Sequence, residues 1–313
     1  MKIFTDPGQV AASLGRTAVT IGKFDGVHAG HRAVIAQLLG VAAADGLASV
    51  VVTFDRHPLS VLAPGKSPES LVGTERKLEL LASTGIDAAL VIGFDRAFAD
   101  LTPERFVSEI LVQALHARVV LVGSDFRFGT KGSGTIETLR ELGRSADFDV
   151  RLIDDVRLEA DRRVSSTWIR ELLREGDVEG AAELLGHTPT VRGAVVHGAA
   201  RGRELGYPTA NLSAESQGLI PADGVYAGWL VDHGIRYRAA ISVGNNPTFA
   251  GVAQKQVEAY VLDEEIDLYG HMVDVEFSHR IRGMVKYTGV DPLIAQMADD
   301  VAQVRRLLPQ TER

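Results

Sequence analysis

Residues 18–31 read Ala-Val-Thr-Ile-Gly-Lys-Phe-Asp-Gly-Val-His-Ala-Gly-His. The β-branched run over residues 18–21 predicts a short strand, and the apolar spacing over residues 32–41 predicts a helix. The glycine-rich segment between them therefore forms the turn that leads from strand to helix. His28 and His31 fall in this turn three residues apart, so we expect both side chains on one face at the start of the helix.

The start of a helix attracts anions, because its first amides are unpaired and the helix dipole is positive there. Two imidazoles add donors for phosphate oxygens and can stabilise the charge that grows when a phosphorus centre is attacked. A single histidine at this position would more often be a cap. The pair His28 and His31, with Gly30 between them and Gly22, Asp25 and Gly26 before them, favours a phosphate site.

The length of the chain, 313 residues, predicts two domains. The absence of cysteine excludes a disulfide framework and fits a reducing compartment. The first 16 residues lack the apolar core of a signal peptide, and no apolar run approaches membrane-spanning length. We therefore expect a cytoplasmic protein with no membrane partner. A net charge of −8 argues against a nucleic-acid partner.

Strand and helix patterns alternate over the first half of the chain. Predicted strands cover residues 18–21, 48–54, 88–94, 119–122 and 150–153, and predicted helices cover residues 74–82, 102–115 and 135–142. Thr102 and Pro103 form a cap and first-residue pair. Apolar strands separated by helices predict a parallel sheet covered on both faces, with ligands at the carboxyl ends of its strands.

Three further polar motifs occur in this half: Thr-Phe-Asp-Arg-His-Pro over 53–58, Gly-Ser-Asp-Phe-Arg-Phe-Gly over 123–129 and Arg-Val-Ser-Ser-Thr-Trp-Ile-Arg over 163–170. Taken alone, the first could be a solvated turn and the second a hydrophobic turn with a solvated arginine. Two aromatic rings beside an arginine could also stack on a planar ligand. The hydroxyls of the third motif cap a helix, where they can also hold a phosphate.

The second half has a different pattern. Predicted strands over 191–196, 224–231, 237–243, 256–262 and 272–277, separated by turn residues, indicate a small antiparallel barrel. A predicted helix over 178–185 ends at Gly186, where we place the domain boundary. A last helix follows Asp291-Pro292, and its apolar stripe should pack on the barrel. The stripe consists of Ile294, Met297, Val301, Val304 and Leu308.

Residues 198–211 read Gly-Ala-Ala-Arg-Gly-Arg-Glu-Leu-Gly-Tyr-Pro-Thr-Ala-Asn. The repeated glycines favour a loop that closes over phosphates. Thr209 and Asn211 offer hard oxygen ligands suited to Mg²⁺, which would also keep waters and phosphate oxygens. Glu258 lies in a predicted strand, where an isolated glutamate is usually just solvated.

The opening stretch over residues 18–31 resembles the Gly-x-Phe-Asp-Gly-x-His-x-Gly-His signature of bacterial bifunctional riboflavin kinase/FMN adenylyltransferases, also called FAD synthetases. Residues 198–211 resemble the Gly-Arg-x-Leu-Gly-x-Pro-Thr-Ala-Asn signature of riboflavin kinases. The resemblance extends over nearly the whole chain. Arg56 stands where that family commonly has proline, and Val285 stands where it usually has glutamate.

The resemblance implies an α/β Rossmann-like nucleotidyltransferase domain over 1–186, followed over 187–313 by a small antiparallel β-barrel riboflavin kinase domain with a C-terminal helix. The barrel domain would convert riboflavin and MgATP to FMN and ADP. The first domain would convert FMN and ATP to FAD and pyrophosphate. The implied partners are the small molecules ATP, riboflavin and FMN. The sequence does not indicate whether the protein is a monomer or an oligomer.

The resemblance also implies roles for individual residues. His28, His31, Arg170 and Glu258 would be catalytic, with Glu258 as the base that accepts the proton of the ribityl hydroxyl. Thr209 and Asn211 would bind the Mg²⁺ that accompanies ATP. The residues expected to bind nucleotide or flavin are Gly22, Phe24, Asp25, Gly30, Asp55, His57, Asp125, Phe126, Phe128, Arg163, Ser165, Ser166, Gly198, Gly202, Arg203, Gly206, Asn246 and Tyr269.

Two other functions compete with this one. The first is a regulatory protein that binds flavin and nucleotide without turnover, which we would expect to lose Glu258 or the paired histidines. The second is an adenylyltransferase of single activity with a degenerate second domain. The intact Pro-Thr-Ala-Asn string and Glu258 disfavour it.

Overall fold

The computed structural model describes residues 1–10, 12–153, 162–198, 205–245 and 255–309. The chain forms two compact units: Met1–Glu69 with Thr74–Val164, and Ser70–Gly73 with Ser165–Arg313. Residues 165–186 thus pack with the second unit, although we predicted them in the first domain. These units are defined by packing, whereas the boundary that we predicted after Gly186 separates the two enzyme activities. That boundary stays a prediction.

The first unit is built on a six-stranded parallel sheet with strand order β1-β4-β3-β2-β5-β6. Its strands are β1 Lys2–Phe4, β2 Thr17–Ile21, β3 Ala48–Phe54, β4 Ala88–Ile92, β5 Ala117–Gly123 and β6 Asp149–Ile153. All five predicted strands are present, and β1 is an additional three-residue edge strand. Because β3 and β5 flank β2 on opposite sides, the chain changes winding direction at β2, and the segment after β2 lies where such sheets bind ligands.

Helices connect these strands, as the alternating pattern predicted. They are α1 Pro7–Val10, α2 Ala29–Asp45, α3 Leu59–Leu62, α4 Thr74–Ala82, α5 Arg96–Ala99, α6 Pro103–Phe106 and α7 Ile136–Ala146. Three 3₁₀ turns cover Asp25–Val27, Pro64–Lys66 and Thr130–Gly132, and a π-helical segment over Val107–Ala114 continues α6. Thr102 Oγ1 accepts a hydrogen bond from the Arg105 amide and Pro103 is the first helical residue, so the predicted pair is confirmed.

Valines of the central strands form the core of the first unit. Val19, Val50, Val52 and Val120 are fully buried, and Phe128 packs in the same cluster. Side chains of such strands are buried on both faces, which is why their sequences are continuously apolar rather than alternating.

The second unit begins with two helices, α8 Ser166–Glu175 and α9 Val178–Leu185, and continues into a closed barrel of order β10-β11-β8-β7-β12-β9. The barrel strands are β7 Thr190–Val196, β8 Thr209–Leu212, β9 Gly224–Asp232, β10 Ile235–Asn245, β11 Lys255–Val261 and β12 Met272–Arg282. All described pairings within it are antiparallel. The five predicted strands are confirmed, and the sequence analysis missed β8.

The last described helix, α10, covers Val290–Leu307. Val301, Val304 and the following Leu308 pack with Ala227, Trp229 and Leu262 of the barrel, which confirms the predicted packing for the C-terminal half of the stripe. Ile294 and Met297, nearer the start of the helix, are only half-buried. Among the described helices, none has the length and apolarity needed to cross a membrane.

Candidate active sites

The turn after β2 brings the two predicted histidines together. His28 is the N-cap of α2, and its Nδ1 accepts a hydrogen bond of 3.3 Å from the His31 amide. An accepting Nδ1 must keep its lone pair, so the ring proton of His28 sits on Nε2. The two rings stack with centroids 3.6 Å apart and planes 20° apart. The helix start thus presents both imidazoles on one face, as the sequence predicted, and the structure adds that the rings stack.

His31 is held in the neutral form. Burial lowers its pKa well below the ordinary value of 6.5, and electrostatic interactions with His28 and with cations such as Lys23 lower it further. A neutral imidazole keeps one N–H donor, so His31 can donate to a phosphate oxygen without carrying a charge itself. Its Nδ1 is buried and makes no hydrogen bond within the described part of the chain.

The backbone of this turn adopts conformations that L-residues rarely take. Phe24 has φ 49° and Val27 has φ 41°, both in the left-handed region, and Val27 is β-branched. Such conformations persist where the surrounding structure enforces them, commonly at ligand sites. Phe24 is buried with its ring 5.0 Å from that of His31, and it also contacts the Gly22 position. A Cβ at Gly30 would lie 3.2 Å from the His28 ring, so glycine leaves room for that ring to stack on His31.

The loop after β3 carries Asp55 and His57, and both contact backbone amides. Asp55 Oδ1 accepts from the Phe94 amide at 2.9 Å and Oδ2 accepts from Arg56 Nε at 2.8 Å. Burial alone would raise the pKa of Asp55, but these hydrogen bonds lower it overall. His57 Nδ1 accepts from the Leu59 amide at 3.1 Å. Arg56, the departure from the family pattern, therefore pairs with Asp55 rather than disrupting the loop.

Lys77 is a residue of this region that the sequence analysis missed. Its side chain on α4 is 8% exposed, and its Nζ donates to the Phe54 carbonyl at 2.6 Å. Burial lowers the pKa of Lys77, and the negative charges of Asp25 and Asp55 partly offset that effect. A signal was present in the sequence: Lys77 lies on the same helix face as Leu80 and Leu81, where a lysine is unexpected.

The loop after β5 places its aromatic residues differently from its acidic one. Phe126 and Phe128 stack with centroids 5.6 Å apart, but Phe128 is buried in the core against Phe106. Only the half-buried Phe126 ring can therefore be reached readily by a ligand. Asp125 is exposed, and its Oδ2 lies 3.5 Å from Arg163 Nη1. Asp125 and Arg163, both predicted to bind nucleotide or flavin, are therefore neighbours.

The hydroxyl and arginine motif of α8 belongs to the second unit. Ser165 is the N-cap, and its Oγ accepts from the Trp168 amide at 3.3 Å, so the predicted capping role is confirmed. Ser166 begins the helix and Arg170 is buried one turn later. Their contacts with phosphate stay predictions.

The barrel brings the predicted kinase residues into one cluster. Glu258 on β11 is directly opposite Asn211 on β8, and Thr209 is two residues along the same strand. Thr209 Oγ1 donates to Glu258 Oε2 at 3.2 Å, and Asn211 Nδ2 donates to Thr209 Oγ1 at 3.3 Å. All three residues are half-buried, whereas the alternate residues Ala210 and Ala259 are buried. The alternation of the strands therefore holds three polar groups on one face.

Of the other predicted residues of this half, Gly198 lies beside the cluster. A Cβ at Gly198 would be 2.5 Å from Asn211 Cγ, so only glycine fits beside this side chain. Gly206 occupies the turn before β8 with φ 84°. The exposed Tyr269 ring lies against His197, with centroids 3.8 Å apart. Three predicted residues, Gly202, Arg203 and Asn246, lie outside the described part of the chain.

The two units together define a nucleotide-dependent transferase with two catalytic domains. A family model described as FAD synthetase matches residues 10–168, and one described as riboflavin kinase matches residues 185–308. The chain belongs to the family of bifunctional riboflavin kinase/FMN adenylyltransferases. The predicted family, fold class and pair of enzyme activities are therefore confirmed.

Individual relatives agree over almost the whole chain. A protein of Listeria monocytogenes named bifunctional riboflavin kinase/FMN adenylyltransferase is 38% identical, over 94% of this chain and 93% of its own length. The Escherichia coli K12 protein of the same name is 37% identical over the same shares. A crystal structure from Streptococcus pneumoniae, described as a macrolide-efflux protein, superimposes with a TM-score of 0.86 at 33% identity and covers 97% of this chain and 99% of that one.

Proposed function

We propose that the two activities divide between the two polar clusters. The cluster of Thr209, Asn211 and Glu258 phosphorylates riboflavin, and the stacked pair of His28 and His31 supports transfer of the adenylyl group to FMN. The observation that carries this proposal is that the two clusters belong to different compact units of the chain. The histidine pair and the kinase cluster are therefore separate sites, and the product of the kinase cluster is the substrate for transfer at the histidine pair.

In the kinase step, Glu258 acts as the base. The hydroxyl oxygen of riboflavin attacks the γ-phosphorus of ATP, the bond from that phosphorus to the bridging oxygen breaks, and ADP leaves. The hydroxyl proton passes to the carboxylate of Glu258. Thr209 donates to Oε2 of that carboxylate, which fixes its orientation and leaves Oε1 for the substrate hydroxyl.

The donor set beside Glu258 fits Mg²⁺. Thr209 contributes a hydroxyl oxygen, and Asn211 directs its amide nitrogen to Thr209, so Oδ1 is the oxygen that it can offer a cation. Mg²⁺ prefers oxygen ligands and keeps waters and phosphate oxygens in its shell. Bound with ATP, this ion would neutralise charge on the transferred phosphoryl group. Thr209 and Asn211 would hold the ion on the same face as the base.

In the adenylyl step, the histidines stabilise charge and no base is required. A phosphate oxygen of FMN is already an anionic nucleophile at neutral pH; it attacks the α-phosphorus of ATP and pyrophosphate leaves. His28 donates through Nε2 because its Nδ1 accepts from the His31 amide. The free amides at the start of α2 add further donors. By the family resemblance, Arg163 of this unit would also hold a phosphate.

The partners in this proposal are small molecules: ATP, riboflavin and FMN. The net charge of −8 leaves local donors, rather than a general basic field, to hold the phosphates. We place the enzyme in the cytoplasm, since a chain without cysteine suits a reducing compartment.

One assay tests the proposal. The protein is incubated with riboflavin, ATP and Mg²⁺, and the flavins are separated by chromatography. We expect FMN to appear first and FAD to accumulate. Neither product should form when a chelator removes the free Mg²⁺. FMN without FAD would indicate a kinase of single activity. No phosphorylated flavin would indicate a binding protein without turnover.

A further inference from the structure

A separate group of metal-ligating side chains lies on the barrel. Asp232 is the last residue of β9, His233 follows it in the turn to β10, and His271 directly precedes β12. The candidate ligand atoms of these three residues all lie within 4.8 Å of one another. None of the three belongs to the kinase cluster or has a role in the proposed function.

The distances between these atoms are in the range of ligands that share one ion, and the two rings approach different oxygens of the carboxylate, His271 at hydrogen-bond distance. His271 Nδ1 lies 3.0 Å from Asp232 Oδ2, and His233 Nε2 lies 3.7 Å from Asp232 Oδ1. Two ligands of a tetrahedral Zn²⁺ are about 3.4 Å apart, because each Zn–N or Zn–O bond is about 2.1 Å. Asp232 Oδ1 is buried and has no hydrogen-bond partner among the described residues, which leaves an unsatisfied carboxylate oxygen directed at His233.

The backbone fixes this arrangement. Asp232 pairs with Ile235, so His233 and Gly234 form a two-residue hairpin turn, with φ 46° and 82°. The Asp232 side chain is 12% exposed, whereas those of His233 and His271 are 80% and 39% exposed. The carboxylate is therefore anchored in the barrel while the two rings face solvent, where water can complete the coordination of an ion.

We propose that Asp232, His233 and His271 bind a divalent transition-metal ion of the Zn²⁺ class, with at least one position open to water. Two imidazoles and one carboxylate are ligands that zinc prefers, whereas Mg²⁺ requires oxygen ligands. The His271 carbonyl accepts from the Val195 amide on β7, the neighbour of β8. The site lies at the end of β9 and the start of β12, and β7 separates β12 from β8, the strand that carries Thr209 and Asn211.

Titration with Zn²⁺ tests this site. The 313-residue protein is first treated with chelator and dialysed, and Zn²⁺ is then added. We compare the wild type with His233→Asn, because asparagine favours this turn conformation and removes only the imidazole. We expect the variant to bind at least about tenfold more weakly at one site per chain, with no competition from excess Mg²⁺. With Co²⁺, the wild type should show the visible bands of a site with low coordination number, and the variant should lack them.

His271→Gln is the second variant, and we expect the same loss from it. His116→Asn is the matched control, since His116 is an exposed histidine of the other unit that also has φ 46°, and its Zn²⁺ binding should equal that of the wild type. Unchanged circular dichroism without metal would show that the variants are folded. Zn²⁺ binding that is equal in wild type and His233→Asn would overturn the proposal, because that ion would then be held elsewhere, for instance by His28 and His31.

Discussion

Thr209 Oγ1 donates a hydrogen bond of 3.2 Å to Glu258 Oε2, joining neighbouring strands β8 and β11 of the barrel. This contact fixes one oxygen of the carboxylate and leaves the other for a substrate hydroxyl. It also places the base beside a hydroxyl that can bind a cation. The antiparallel register of two strands thus puts base and metal ligand next to each other, although they are far apart in the sequence.

Glu258→Gln should abolish FMN formation. Glutamine can still accept the hydrogen bond from Thr209, but it cannot take up the proton of the hydroxyl, so the rate should fall by about 10²–10⁴. Conversion of added FMN to FAD should be unchanged, because that reaction depends on the histidine pair and does not use Glu258. Chromatography of the flavins, with riboflavin or FMN as the starting substrate, measures both steps.

The control for this variant is Glu265→Gln, which changes an exposed glutamate of the same unit. It should leave both steps at wild-type rates. Simultaneous loss of both steps in Glu258→Gln, with the fold retained, would contradict the division of labour between the units.

Two substitutions of His28 separate its cap from its chemistry. Asparagine is a good N-cap, so His28→Asn should keep the stability of α2 while removing the Nε2 donor. FMN should then accumulate, with adenylyl transfer about 10²–10³ slower. His28→Ala should have the same kinetic defect and lose about 1 kcal/mol of stability in addition. Normal FAD production by His28→Asn would remove this residue from the catalytic set.

Protonation of His31 should make the stability of the first unit depend on pH. Its folded-state pKa lies well below 6.5, so the unfolded chain binds a proton that the folded protein does not. The free energy of unfolding should therefore fall as the pH drops through about 6.5 and level off above it. Thermal unfolding followed by circular dichroism at several pH values should show a smaller pH effect in His31→Gln. Identical pH effects in both proteins would argue against a neutral buried imidazole.

The ion pair between Arg282 and Asp300 should stabilise the second unit. Arg282 Nε and Nη2 donate to Asp300 at 2.9 and 2.6 Å, and Asp300 is 4% exposed. Asp300→Ala leaves a largely buried arginine without its partner, which should cost about 3–5 kcal/mol. Both tryptophans, Trp168 and Trp229, lie in this unit, so their fluorescence during urea unfolding reports on it alone.

Arg305→Ala is the comparison for this pair. Arg305 also pairs with an aspartate, Asp263 at 2.7 Å, but both side chains are about half exposed. Solvent screens such a pair, and its loss should cost no more than about 1 kcal/mol. Equal costs for the two variants would show that burial does not decide the strength of these pairs.

Strongly patterned elements were predictable because burial imposes its own periodicity. The continuous apolar strand of residues 48–54 and the helix of residues 178–185 were predicted with the bounds that the structure shows. Strand β8, Thr209–Leu212, was missed because it has four residues and polar side chains at alternate positions. Its strand conformation comes from pairing with β7 and β11, which are distant in sequence.

The sequence by itself determined which residue types are present: two histidines at a helix start, and a carboxylate and two oxygen ligands in the second half. Local spacing also determined that His28 and His31 share a face, since three residues make almost one helical turn. Only the tertiary structure decided that Glu258 lies opposite Asn211, that Lys77 is buried and donates to the Phe54 carbonyl, and that Asp232 and His271 meet. Contacts of this kind depend on strand register and packing between distant segments, which no local pattern specifies.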